Sequence, residues 1–157
     1  MTADTSEADK KLFDAIVSSD VEGVRAALAG GANPNATSKL GKTPFELAYF
    51  GYVTPLCPER FMEIMEVLAE HPDMDPNKPG SMGQTPLFWT VMDNDLDVAK
   101  LLLNKGANPN IKNVHDNFTP AYMAMRLGRE EMVTLLHWKA VSQLRNKPSG
   151  PQPKPGM

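Results

Sequence analysis

The chain has 157 residues, 41% hydrophobic and 22% charged, with 16 basic and 19 acidic side chains and a formal net charge of −3. These proportions suit a globular protein long enough to bury a core, and they argue against affinity for nucleic acid, since no basic stripe is visible. No apolar run reaches the ~20 residues of a bilayer span, so no membrane partner is expected. A lone Cys57 can make no internal disulfide, so a reducing compartment, the cytoplasm or the nucleus, is the expected setting.

In chain order, residues 1–7 are polar and acidic and lack the basic-then-apolar order of a signal peptide. They are expected to be flexible. Leu12 opens a helical pattern that breaks at Ser19-Asp20 and resumes over residues 21–28. Gly31-Ala32-Asn33-Pro34-Asn35 then stops it, because Gly suits a left-handed cap and a residue before Pro leaves the α region. Thr43-Pro44 reads as a helix start, since Thr can cap and the missing proline N–H is no loss in the first turn. The expected helix covers residues 44–50, and the segment Val53-Thr54-Pro55-Leu56-Cys57-Pro58 follows as an insertion. Asp73-Met74-Asp75-Pro76-Asn77 closes this unit, and Thr85-Pro86 opens a helix over 86–92. Asp93-Asn94-Asp95-Leu96-Asp97 reads as a turn whose Asp caps the next helix, on which Val98, Leu101 and Leu102 share a face. Gly106-Ala107-Asn108-Pro109-Asn110 ends that helix. The hairpin Asn113-Val114-His115-Asp116-Asn117 looks one residue longer than its counterparts, and Thr119-Pro120 starts a helix over 120–127. Met132, Val133, Leu135 and Leu136 mark a last helix, and the remainder, 147–157, is a Pro-rich tail expected to be disordered.

The Thr-Pro pairs are spaced by 42 and 34 residues, and the Asn-Pro-Asn or Asp-Pro-Asn punctuations by 42 and 33. One period near 33 with a single insertion explains all of them. The third period, from Gly83-Gln84-Thr85-Pro86-Leu87 through Gly106-Ala107-Asn108-Pro109-Asn110, closely resembles the ankyrin repeat, and residues 12–35 resemble the N-terminal cap of that family. The resemblance covers about residues 8–146 and implies four repeats, at about 8–37, 38–79, 80–112 and 113–146. The implied fold is an all-α solenoid of stacked helix-turn-helix units joined by hairpin loops, in which neighbours together bury a core no repeat closes alone. One departure is the family's His after Thr-Pro-x, replaced here by Glu46, Phe88 and Tyr122. That substitution puts the polar network between repeats in question.

The chemistry of an enzyme is not legible. Ala36-Thr37-Ser38-Lys39-Leu40-Gly41-Lys42-Thr43 fits a relaxed phosphate-loop pattern, yet that chemistry needs a buried strand beforehand, which Gly30 to Pro34 cannot form. A nucleotide-using enzyme built on Gly41, Lys42 and Thr43 is therefore kept only as a remote third reading. His71, His115 and His137 lie far apart with no metal-ligand spacing, and Cys57 has no base to activate it. No catalytic residue, metal or cofactor is expected. Met62, Met65, Met123, Met125 and Met132 fall at helical spacing and are expected in the core, whereas Met82 and Met92 point outward.

The resemblance implies that a protein or peptide partner lies in the concave groove of hairpin tips and first helices. The tip positions it implies are Lys39, Leu40 and Lys42 in the first hairpin, then Ser81, Met82 and Gln84 in the second. Val114, His115 and Phe118 follow in the third, and the helix positions are Phe50, Trp89, Met92, Asp93 and Arg126. Met82, Trp89 and Met92 are the expected hot spot, with Lys39, Lys42 and Arg126 as a charged rim. The leading reading is a monomeric interaction module; the second is an inhibitor or regulatory subunit of an enzyme.

Overall fold

The computed structural model describes residues 6–54 and 57–145, and it places eight helices in four antiparallel pairs. They are α1 (Glu7–Val17), α2 (Val21–Ala29), α3 (Pro44–Tyr52), α4 (Pro58–Glu70), α5 (Pro86–Asp93), α6 (Leu96–Lys105), α7 (Pro120–Arg126) and α8 (Glu130–Arg145). Each Thr-Pro pair opens a helix. The Thr43 hydroxyl accepts the Glu46 N–H and that of Thr119 accepts the Tyr122 N–H, while proline fills the first turn. Asp20 and Asp95 cap the second helices of their pairs by accepting from Gly23 and Val98. The reversals between helices are closed by left-handed residues, Ser19, Asn94 and Gly128, at φ 51°, 59° and 68°. The helix ends differ little from those expected: α3 runs two residues further, α5 one further, and α7 stops one short. Gly51 sits where α4 crosses α3, because a Cβ there would stand 2.3 Å from the Phe61 ring. The insertion residues Pro55 and Leu56 and the tail 147–157 lie outside the described residues, as do residues 1–5.

The pairs stack in one direction. Among first helices α1 packs on α3 and α5 on α7; among second helices α2, α4, α6 and α8 follow one another. Their shared core holds Leu12, Ile16, Ile64, Leu68, Leu102 and Leu136, all fully buried. The Asn-containing punctuations turn out to be the polar stitching between neighbours. The Asn33 N–H donates to the Asp9 carboxylate at 2.7 Å, the Asp75 N–H to the Asn35 side chain at 2.8 Å and the Asn108 N–H to the Asn77 side chain at 2.7 Å. The first ties its loop to α1 of the same unit, while the other two satisfy a loop donor with the preceding unit, so that loop register and stacking register are set together there. The hairpins close by the Ser38 N–H on the Lys42 carbonyl, Gly80 on Gln84 and Asn113 on Phe118, so the last loop does carry one extra residue. Asn113, buried, absorbs it by accepting the Asp116 N–H at 2.8 Å.

Of the methionines expected inside, Met65 and Met132 are buried, and Met62 and Met123 are half-buried. Met125 is a correction: it is 64% exposed. Its counterpart 34 residues earlier, Val91, is fully buried because another pair stacks on it. Met125 belongs to the last described pair and has no such cover. A far-ultraviolet circular dichroism spectrum should show a helical protein, and a strand-dominated spectrum would contradict this architecture.

Candidate interaction surface

Three hairpin tips stand side by side along one edge of the stack. Gly41 and Gly83 take left-handed φ values of 75° and 68°, which turn the chain tightly and leave the residue before each one outside. A Cβ on Gly41 would touch Ser81 at 3.7 Å, and one on Gly83 would meet a Val114 methyl at 2.7 Å. The His115 ring also reaches the Met82 carbonyl, with Nε2 at 2.9 Å. Large apolar side chains crown this row: Leu40 is 78% exposed, Met82 57% and Val114 69%. No hairpin needs them for its own closure, which is made by main-chain bonds.

A second row runs along the first helices. Val17, Phe50, Met92 and Arg126 occupy one recurring position, at spacings of 33, 42 and 34 residues. Val17 and Met92 are exposed, and Phe50 is half-buried beneath the Lys42 ammonium, 4.4 Å from the ring centre. Arg126 is exposed and lies 5.5 Å from the centre of Phe118, which in turn packs on Tyr122 at 4.6 Å. Lys39 and Ser81 are exposed and Gln84 is half-buried.

Trp89 is a correction. It is 5% exposed, stacked on Tyr49 at 6.3 Å and tilted against Phe50 at 5.7 Å, so it fills the space between α3 and α5 instead of facing the groove. Its loss removes the middle of the expected hot spot. Met82 sits at the hairpin end of α5 and Met92 at the other, on the order of 10 Å apart along the axis at 1.5 Å per residue. Asp93 is exposed but engaged, accepting the Tyr49 hydroxyl proton at 2.7 Å. Burial, and then the Asp93 carboxylate, push the Tyr49 hydroxyl up from its ordinary range, so it stays a donor at neutral pH.

The lost His of the family pattern has a substitute in one unit. Glu46 is fully buried, and its carboxyl accepts the Thr43 N–H at 3.3 Å, the Ser81 N–H at 2.9 Å and the Ser81 hydroxyl. One side chain thereby caps α3 and fastens the second hairpin to it. Phe88 at the next such position is buried and Tyr122 is exposed, so neither repeats the device. The same geometry occupies the phosphate-loop pattern. Thr43 is 4% exposed with its hydroxyl spent on the cap, Lys42 is held over Phe50, and Gly30 to Lys42 contain no strand.

One part of this surface escaped the sequence reading. Between α1, the first hairpin and α3 lies an open depression of about 460 Å³, walled by Phe13, Val17, Leu40 and Leu47. The spacing of 33 between Val17 and Phe50 was the available signal.

The model of a known family, ankyrin repeats (3 copies), matches residues 12–113 and 57–146. The chain is 30% identical over 125 residues to the human transient receptor potential cation channel subfamily A member 1, covering 80% of this chain and 10% of that protein. It is 30% identical over 89 residues to the putative ankyrin repeat protein YahD of Escherichia coli, 54% of this chain and 44% of that one. It is 29% identical over 160 residues to the putative ankyrin repeat protein FPV222 of fowlpox virus, 82% of this chain and 20% of that one. In each case the match spans less than half of the relative's own length.

Proposed function

The chain belongs to the ankyrin-repeat family, and from that premise we propose that it holds a protein or peptide partner in the groove formed by its hairpin tips and first helices. Ankyrin repeats are in general protein-interaction modules. The observation that carries the choice of face is the alignment of Leu40, Met82 and Val114, exposed at three neighbouring tips. Apolar groups this large and this exposed in a row mark interaction sites more often than accident. On the opposite side, α4 offers a poorer surface. The outer face of α4 presents Glu59, Glu63, Glu66 and Glu70 to solvent, and glutamate is depleted at interface cores. In this reading the protein acts as a monomer in a reducing compartment of the cell, with Lys39, Lys42 and Arg126 speeding encounter.

The test is affinity capture with paired variants. Met82→Ala with Met92→Ala should weaken the captured partner's binding by more than ~2 kcal/mol. The melting temperature should hardly move, because both side chains are exposed. Glu63→Lys with Glu66→Lys on α4 should leave binding in place. Loss of binding in the α4 variant with full binding in the methionine variant would put the partner on the other side and end this reading.

A further inference from the structure

We propose that the N-terminal end of the groove is a pocket for a peptide that sets one bulky apolar side chain among acidic residues; this names the partner class and rests on the groove reading above. The pocket is the depression between α1 and the first hairpin. Its walls are apolar: Phe13 and Leu47 are half-buried, while Val17 and Leu40 stand 68% and 78% exposed at the mouth. An apolar side chain entering it would bury these four together with itself, which none of them achieves in the free protein.

The rim supplies the sign of the partner. Lys10, Lys39 and Lys42 border the depression against a single carboxylate, Asp14. The chain as a whole carries −3, so this cluster is a local reversal of charge. The Lys10 ammonium has Glu7 at 3.6 Å, but both side chains are more than half exposed, and such a pair holds its charges loosely. Lys42 is already positioned by the Phe50 ring, so an arriving carboxylate finds it ordered. Acidic groups flanking the apolar anchor would meet these cations at the mouth, where attraction selects partners and register. The chain's own tail does not fit this description. From Arg145 onward it carries Arg145, Lys147 and Lys154 and no acidic residue, so the rim repels it.

A random peptide library displayed on phage and selected against the full chain tests the proposal, with the best peptide synthesised and titrated by calorimetry. Enriched sequences should carry Leu, Phe or Met with Asp or Glu close on both sides. Leu40→Glu should weaken the peptide at least ~10-fold, as removal of a central anchor does. Lys39→Glu should do the same, and should flatten the loss of affinity between about 50 and about 300 mM salt that screening imposes on the native chain. Both residues are exposed, so the melting temperature of each variant should match the native one. Failure to enrich any peptide, enrichment of basic or uncharged peptides, or indifference to Leu40→Glu would overturn the proposal. If the peptide ignores Leu40→Glu but is lost in the Met82→Ala, Met92→Ala variant, this pocket falls and the groove stands. If it ignores both and is lost in the α4 variant, both fall. Two further outcomes overturn the acidic-partner assignment: a dimer in sedimentation that Leu40→Glu dissolves, which makes a second copy the occupant, and a gain of at least ~10-fold in affinity on deleting residues 1–5, which makes the chain's own N-terminus the occupant.

Discussion

Replacing Leu102 with Ala should destabilise the protein by ~2–5 kcal/mol in chemical denaturation, among the largest effects a single truncation produces. Leu102 is fully buried on α6, and α6 packs against both α4 and α8. The helix that carries it therefore serves the contact on both sides of one unit. Truncation leaves a cavity that helices pinned from two directions cannot close, so the cost exceeds the transfer term alone. Its main-chain carbonyl accepts the N–H groups of Gly106 and Ala107, and Ala preserves both bonds. A change below ~0.5 kcal/mol, typical of surface positions, would mean that the helix register described here is wrong.

Glu46→Ala should cost ~2–4 kcal/mol, although it removes a polar side chain. Three donors converge on that carboxyl: the Thr43 N–H, the Ser81 N–H and the Ser81 hydroxyl. With Ala in place, the N–H of the buried Thr43 loses its acceptor and the second hairpin loses its tether to α3. Glu46→Gln keeps an oxygen acceptor and should lose less. A Gln variant as damaged as the Ala variant would show that the carboxyl's second oxygen carries the bond network. An Ala variant with native stability would contradict the buried tie altogether.

The repeat frame was legible because its punctuation obeys local rules that no packing overrides. Thr-Pro starts a helix, a left-handed Gly stops one, and the residues between them count out the period. Even the extra residue in the third hairpin could be counted. Which outward positions stay outward was less legible, because that depends on neighbours. Trp89 and Met92 lie three apart on α5, yet Trp89 is closed over by Tyr49 and Phe50 from the preceding unit. Met125 failed the other way: its spacing is that of a core residue, but the neighbour that would cover it is missing from the described pairs. The substitution at Glu46 could be seen in the sequence, but not its consequence. A buried carboxyl is tolerable only where donors meet it, and the Ser81 donors lie 35 residues away. The depression beside Phe13 was hidden for a related reason, since its walls come from two helices and a loop.

The central claim, that a protein partner occupies the face of hairpin tips and first helices, is tested most directly by amide hydrogen exchange with and without the captured partner. The account predicts slowed exchange in the three hairpins, at 38–42, 80–84 and 113–118, with unchanged exchange across α2, α4, α6 and α8. Protection confined to those second helices, with the hairpins exchanging as they do in the free protein, would contradict it.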